Sequence, residues 1–314
     1  MLNIDAPTTR ASLPFDRLVT ALKNAFASGC EAPLRHSHTV TATPGEPGTL
    51  LLMPAWNAAS GYMGVKTVCV YPGNPGRKLP GLYSTYILYR AETGKPLALI
   101  DGNEITSRRT AAASALAASF LCRADASSML VLGAGRVASL LPYAYRTVRK
   151  IRRVAVWDID TDHAHRLVAR LCADGFDAEV VARLDGDTCA VDIVSAATLS
   201  TEPLIRREYL RPGTHVDLIG GFTPAMREAD DACFDGTSVF VDTDEACRKA
   251  GDLLSPIANG VIGPEGILSD LAGLCRAEHA GRRSAQEITV FKAVGTALED
   301  LAAAAMCFEA ATNH

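Results

Sequence analysis

The stretch from Met129 to Asp158 constrains this chain more than any other. Met129-Leu130-Val131-Leu132 is a short apolar run, and Gly133-Ala134-Gly135-Arg136-Val137-Ala138 follows at once. A helical pattern comes next, then Val154-Ala155-Val156-Trp157 and an acid, Asp158. The order is strand, glycine turn, helix, strand, carboxylate, which is that of a dinucleotide-binding βαβ unit. Gly133 permits the tight turn, Gly135 lets backbone approach a pyrophosphate, and Ala138 is small enough for close helix–strand packing. A helix N-terminus would offer its unpaired N–H groups and positive dipole end to the phosphates. Asp158 stands where a carboxylate accepts both hydroxyls of an adenosine ribose. The same charge repels a 2′-phosphate, so NAD(H) is favoured over NADP(H). Arg136, Arg152 and Arg153 are near enough in sequence to keep NADP(H) in view.

From Ser128 to about Ala280 strands and helices alternate, which implies a doubly wound parallel sheet. Strands are expected at Ala178–Val181, Ala190–Ala196, His215–Ile219 and Val239–Asp242. Helices are expected at Ser139–Val148, Asp162–Ala173 and Asp244–Gly251, with a long alanine-rich final helix over Ile288–Ala311. The first hundred residues read differently. A helix over Leu13–Ser28 leads into candidate strands at Thr39–Thr41, Leu50–Met53, Gly64–Val70, Tyr83–Tyr89 and Pro96–Ile100. Turns are expected at Pro44-Gly45-Glu46-Pro47-Gly48 and Glu92-Thr93-Gly94-Lys95. This pattern gives an antiparallel or mixed sheet. A helix follows over Thr106–Leu121, with Thr106 as its cap and Arg108 and Arg109 in its first turn. Cations there oppose the macrodipole by ~0.3–1 kcal/mol, so an anion is expected near Arg109, whereas Arg108 is expected to reach solvent.

The fold class is therefore α/β: a Rossmann-type doubly wound parallel sheet plus an α+β domain. The expected division is residues 1–122 with 287–314 for the α+β domain and 123–286 for the dinucleotide-binding domain. At 314 residues and 48% hydrophobic, the chain can bury a core for each. A net charge of −4 gives no reason to expect a nucleic-acid or membrane-surface partner. The nine cysteines form no CxxC and are odd in number, which speaks for reduced thiols and against a disulfide framework or zinc site. There is no secretory signal pattern and no membrane-spanning apolar run, so a cytoplasmic protein is expected.

Three cations precede the nucleotide unit: Arg35, Lys66 and Arg109. Lys66 lies inside an apolar strand. If it points inward it needs an anion, because an unpaired buried cation is costly. A small carboxylate would answer that need, gripped by two arginines through bidentate bonds with the lysine beside the reacting atom. His36 and His38 lack a third ligand, so no metal is expected. Arg146–Arg153 reads as the solvated end of a helix, and Glu228, Asp230 and Asp231 as a solvated face or helix start.

Several of these stretches together resemble the ornithine cyclodeaminase/μ-crystallin family. They are Met53-Pro54-Ala55, Gly64-Val65-Lys66, Gly94-Lys95-Pro96-Leu97-Ala98, Ile105-Thr106-Ser107-Arg108-Arg109-Thr110-Ala111-Ala112, Gly133-Ala134-Gly135 and Phe291-Lys292-Ala293-Val294-Gly295. The resemblance implies substrate-carboxylate roles for Arg35, Lys66 and Arg109, with Lys66 and Arg109 catalytic. It places Gly133, Gly135, Arg136, Val137 and Asp158 at the NAD site, Thr198 and the His215–Leu218 strand end beside the nicotinamide, and Val294 near the substrate. It also implies that the α+β domain, residues 1–122 with 287–314, is the substrate-binding and dimerisation domain of a homodimer.

Two positions depart from the cyclodeaminases. Gly220-Gly221 is followed by Phe222 instead of an acid, and Leu51 stands where they carry a glutamate. A phenylalanine cannot transfer a proton or pair with an ammonium. The expected activity is thus NAD(P)H-dependent reduction of a cyclic ketimine carboxylate, Δ1-pyrroline-2-carboxylate to L-proline first and Δ1-piperideine-2-carboxylate second, with Phe222 covering the ring. Alternatives are an ornithine cyclodeaminase with a relocated acid, an alanine-type amino-acid dehydrogenase, and a non-catalytic NAD(P)H-dependent binding protein.

Overall fold

The computed structural model describes residues 1–41 and 47–312, so most of the turn expected around Pro44-Gly45-Glu46 lies outside the described residues. The chain divides into two compact units, Met1–Thr110 with Thr296–His314, and Ala111–Gly295. From the sequence the divisions are expected at 122/123 and 286/287. Here they fall inside a helix, after Thr110, and just after a left-handed glycine, Gly295 (φ 75°).

The first unit is a six-stranded mixed sheet with helices on it. Its elements are β1 (Leu2–Ile4), α1 (Ala6–Ser12), α2 (Phe15–Ser28), β2 (His36–Val40), β3 (Gly48–Asn57), β4 (Tyr62–Val70), β5 (Leu82–Arg90), β6 (Pro96–Asp101) and the start of α3 (Gly102–Leu121). The strand order is β1-β6-β5-β4-β3-β2. All pairs are antiparallel except β1 with β6, which makes the sheet mixed. β1 and α1 carry too few periodic apolar residues to be expected from sequence. α2 buries Phe15, Leu18, Leu22 and Phe26, a 3.6-residue stripe. The C-terminal helix, Ala297–Thr312, packs on β3, β4, β5 and α2.

β4 shows how one strand aims its cation. Tyr62, Gly64, Lys66 and Val68 are buried and their neighbours are not. Side chains alternate across a strand, so Lys66 faces the core side with Tyr62 and Val68. α3 begins at Gly102, four residues before the expected start, where the Asp101 carboxylate accepts from Glu104 N at 2.8 Å. Thr106 is therefore not the cap, and Arg108 and Arg109 lie about two turns in, where the dipole argument no longer applies. Arg108 does not reach solvent freely either. It is half-buried, lies 4.3 Å from the Phe15 ring centroid and donates to the Leu13 carbonyl at 2.8 Å.

The second unit is an eight-stranded sheet, all parallel. Its elements are β7 (Ser128–Leu132), α4 (Leu141–Tyr145), β8 (Arg153–Trp157), α5 (Thr161–Ala173), β9 (Asp177–Val180), β10 (Ile193–Ala196), β11 (His215–Leu218), β12 (Ser238–Val241), α6 (Ala246–Lys249), α7 (Gly251–Ala258), β13 (Ile267–Asp270), α8 (Leu271–Cys275) and β14 (Thr289–Lys292). The order is β13-β12-β14-β11-β10-β7-β8-β9. Every residue of β7, β10, β11, β12 and β14 is buried, as expected of a parallel sheet covered on both faces. Strand order reverses between β7 and β10, which makes their carboxyl ends the topological switch point.

Four expectations need correction here. The long final helix is in fact a strand, β14, in the middle of this sheet, then Gly295, then a helix from Ala297. The Thr289-Val290-Phe291 sequence suits a buried parallel strand, and only the alanine run beyond the glycine is helical. Lys292 is therefore on a strand. The crossover after β7 is a 3-10 turn, Ala138–Leu140, and five residues of α-helix containing Pro142, which ends at Tyr145, three residues before the expected Val148. The helix over Asp244–Gly251 is two helices, broken at Ala250, whose backbone is extended. Within the basic run, Arg149 is not solvated. Its guanidinium donates to the carbonyls of Ala118, Ser119 and Cys122, and its Nε to that of Arg123, satisfying the orphan acceptors where α3 ends.

β11 carries two buried polar groups. Asp217 accepts from Ser114 Oγ (3.1 Å), Tyr145 OH (2.8 Å) and Ser195 Oγ (2.5 Å), and burial pushes its carboxyl up to about 6. His215 Nδ1 lies 2.9 Å from Thr289 Oγ1, which gives its own proton to the Leu121 carbonyl. The hydroxyl must then accept, so Nδ1 of His215 carries a proton and donates it to Thr289. Burial, with Arg282 and Arg149 nearby, lowers His215 to about 3.

Candidate functional site

In the first unit the cations meet on the C-terminal helix. Lys66 Nζ donates to Asp300 Oδ1 at 2.8 Å, and Arg109 Nε donates to the same oxygen at 2.9 Å. Arg109 Nη1 donates to Glu299 Oε2 at 2.6 Å. All four side chains are buried. Two positive and two negative charges sum to zero, so the cluster is compensated from within and is not the bare positive pocket the sequence suggested. Burial drives Lys66 down to about 8 against the pull of Asp300, and Arg109 adds to the lowering. Burial also works against Arg109, yet Asp300 and Glu299 raise it above the usual guanidinium value. Burial would raise Asp300, but Lys66 and Arg109 hold it below the ordinary carboxylate range.

The sheet register explains which side chains share this face. Lys66 pairs with Tyr86 on one side and Met53 on the other, and Tyr86 pairs with Ile100. All four are buried. Arg35 is half-buried and stands one residue before the His36–Leu52 pair, beside this row, whose next member on β3 is Met53. Tyr86 packs over Gly64, where a Cβ would overlap the phenol ring. Its hydroxyl is buried without a hydrogen-bond partner among the described residues, and burial, then the Asp300 charge, pushes it well above the usual phenol value. Glu299, Asp300 and Tyr86 are not among the site residues expected from the sequence. The available signal was an acid pair inside an alanine-rich helix, the same oddity that drew attention to Lys66.

In the second unit the glycine turn follows β7. Gly133 has φ 100°, and a Cβ there would lie 2.8 Å from the Ala197 carbonyl, so both its conformation and its neighbour exclude a side chain. A Cβ on Gly135 would meet nothing within 4 Å, which leaves that backbone open to a ligand. Asp158, just past β8, accepts from Ala134 N at 2.6 Å and from Asp160 N at 2.8 Å. It thereby holds the glycine turn from the side where a ribose is expected. Arg136 is exposed and Val137 half-buried. An open backbone at Gly135, a left-handed Gly133 and a carboxylate at the second strand end fit a dinucleotide. α4 is too short and too late to add a strong helix dipole at the turn.

Beyond the switch point, Thr198 follows β10 and Gly220-Gly221 follow β11. Glu228 joins them: it accepts from Thr198 N (2.7 Å), Thr198 Oγ1 (2.9 Å) and Gly220 N (2.7 Å). It is fully buried, not solvated as the sequence reading had it, and burial, aided by Asp252 and opposed by Lys292, raises it. Asp252 accepts from the backbone N–H groups of Glu228 and Ala229 and, at 2.9 Å, from Lys292 Nζ. Both are buried. Asp231 pairs with Arg227, and Asp230 caps the short turn at Asp231–Phe234. Leu218 is a core residue whose carbonyl accepts from Ala293 N. Val294 N donates to Asp242 at 2.7 Å, and Phe222 is 38% exposed on the loop after the paired glycines.

Two buried ion clusters and an open glycine turn on a sheet of this order invite comparison with known proteins. The model of the ornithine cyclodeaminase/mu-crystallin family matches residues 8–314. The chain belongs to that family. Within it, a Δ(1)-pyrroline-2-carboxylate reductase of Paracoccus denitrificans is 40% identical over 279 residues, covering 85% of this chain and 87% of the relative. The solved structure of Thermococcus litoralis Δ(1)-pyrroline-2-carboxylate reductase in complex with NADH and L-proline matches with a TM-score of 0.94 at 30% identity, over 100% of this chain and 98% of that one. An archaeal alanine dehydrogenase dimer with bound NAD matches with a TM-score of 0.91 at 29% identity, over 100% and 96%. Among the described residues no helix is long and apolar enough to cross a membrane, and no group of three His, Cys, Asp or Glu could hold a metal ion.

Proposed function

We propose that this protein is an NAD(P)H-dependent reductase of cyclic ketimine carboxylates, acting on Δ1-pyrroline-2-carboxylate to give L-proline, with the six-membered homologue as a second substrate. The observation that carries the reading is the Lys66–Arg109 pair fixed on Asp300, in a chain that bears an apolar Phe222 where a deaminating relative needs an acid. It is supported by the relatives named for this reaction and by the neighbour that holds NADH with L-proline.

Gly133, Gly135 and Asp158 would hold a dinucleotide by its pyrophosphate and ribose, and the bound group would supply a hydride for the C=N carbon. Asp300 holds Lys66 and Arg109 by one edge each. That leaves Lys66 two N–H donors and Arg109 its Nη2 to bind the substrate carboxylate. Arg35 supplies a further cation, which an otherwise neutral cluster requires. Lys66 in its charged form is the acid that gives the imine nitrogen its proton, and it is left neutral. Hydride addition to the iminium carbon turns the C=N+ pair of electrons into the nitrogen lone pair, and the product is the secondary amine. The protein chiefly contributes position and charge complementarity. Phe222 covers the ring's apolar face, and Val294 lines the substrate side.

NAD(H) is the favoured cofactor on account of Asp158, with NADP(H) the lesser one. A homodimer is supported by the dimeric archaeal neighbour. A cytoplasmic location is supported by the lack of disulfides among the described residues. The test is oxidation of NADH by the purified protein with the pyrroline, with ornithine alone and with pyruvate plus ammonia. Turnover with the pyrroline is expected. Turnover only with ornithine, or only with pyruvate and ammonia, overturns the reading in favour of a cyclodeaminase or an amino-acid dehydrogenase.

A further inference from the structure

Three buried charges in the second unit have no part in the reaction derived above. Lys292 ends β14, Asp252 lies in the first turn of α7, and Glu228 lies on the segment linking the loop after β11 to Ala229. They form a chain. Lys292 Nζ donates to Asp252 Oδ2 at 2.9 Å, and Asp252 Oδ1 holds the backbone N–H groups of Glu228 (2.7 Å) and Ala229 (3.1 Å). The Glu228 carboxylate then grips Thr198 and Gly220. The paired glycines have a local reason in this chain: a Cβ on Gly220 would overlap the Thr198 carbonyl and lie 2.5 Å from Glu228 Oε1, and one on Gly221 would overlap the Asp252 carboxylate. Such a cluster is costly to bury unless fully bonded, and its hydrogen bonds converge on two loops at the carboxyl ends of β10 and β11.

Those loops have a defined place against a dinucleotide. Asp158 and β8 take the adenosine half, and the switch point lies between β7 and β10, so the nicotinamide half falls over β10 and β11. Thr198 stands beside the turn, since a Cβ on Gly133 would lie 3.5 Å from its Cγ2. Its hydroxyl has one proton, which goes to Glu228 at 2.9 Å, while Ser200 N donates to its oxygen at 3.3 Å. One lone pair remains, so Thr198 can only accept. The nicotinamide carboxamide carries an NH2 donor that matches it.

We propose that Glu228, braced by Asp252 and Lys292, is the positioning residue of the nicotinamide half of the cofactor site, and that it fixes Thr198 as the acceptor for the carboxamide NH2. This rests on the dinucleotide reading of the glycine turn and not on the identity of the imine. The test is direct binding, so it remains informative even for a protein that reduces no imine. NADH and ADP-ribose, which lacks the nicotinamide, are titrated against the wild-type protein, Glu228→Gln and Thr198→Val. Both variants are expected to weaken NADH about tenfold, the loss of one charge-assisted or one well-placed hydrogen bond, with ADP-ribose unchanged. If Glu228→Gln fails to fold, Thr198→Val decides. It is expected to lose the wild-type preference for NAD over its 3-acetylpyridine analogue, which has no NH2. Equal loss of NADH and ADP-ribose, unchanged NADH affinity in Thr198→Val, or no dinucleotide binding by the wild-type protein overturns the proposal.

Discussion

Replacing Asp300 with Asn removes the charge on which Lys66 and Arg109 meet while keeping the shape of the side chain. In the native protein burial has already brought Lys66 down to about 8, and the Asp300 carboxylate, 2.8 Å away, is the largest influence holding it up. An opposite charge at such range is worth about 1–3 pKa units. Lys66 in Asp300→Asn should then titrate near pH 6, about two units lower. At pH 7.5 about three quarters of Lys66 is protonated in the native protein, against about 3% in the variant, from the two values. If the charged lysine binds the carboxylate and gives the imine its proton, kcat/KM for the pyrroline falls about 25-fold at that pH. The alkaline limb of the pH profile moves from about pH 8 toward about pH 6. The assay is NADH consumption from pH 5 to 9, with thermal melting alongside, because breaking a buried pair costs about 3–5 kcal/mol. The melting data carry their own signature. A lysine depressed in the folded state binds fewer protons there than unfolded, so its burden is present below about pH 8 and is relieved as pH rises toward 10.5. An alkaline limb that stays in place, or moves upward, in a folded Asp300→Asn protein would show that Asp300 does not hold the Lys66 charge used in the reaction.

Two further outcomes are expected. His215 and Asp217 act on acid stability in opposite senses. His215, lowered to about 3, makes the fold lose stability as pH falls from 6.5 toward 3, at about 1 kcal/mol per pH unit. Asp217, raised to about 6, makes it gain stability as pH falls from 6 toward 3.8. His215→Asn should therefore flatten the acid limb of a denaturant titration and Asp217→Asn should steepen it, and the same sign of change in both would contradict the assignments. Asp158→Ser should raise the NADPH to NADH ratio of kcat/KM by about tenfold or more by removing the carboxylate that repels a 2′-phosphate. It should also weaken NADH itself, since Asp158 holds Ala134 N. An unchanged ratio would place the ribose elsewhere.

The sequence by itself determined the order of β7, the glycine turn, β8 and Asp158, because each depends on neighbours within a few residues: apolar runs, a left-handed glycine, an acid at a strand end. It also determined that Lys66 needs an anion, because an inward lysine in an apolar strand cannot stand alone. Only the tertiary structure decided which anion. Asp300 lies 234 residues away and Glu299 190 residues from Arg109, and no local pattern encodes a pair at that distance. The same holds for Glu228, which reads as one acid among several in sequence and is buried because Asp252 and Lys292 close on it from α7 and β14. β14 itself was hidden for a related reason. Four residues buried on both faces carry no alternation to tell strand from helix, and only insertion between β11 and β12 settles it. Local backbone preference is written along the chain, whereas the partner of a buried charge is set by which distant segment the fold brings against it.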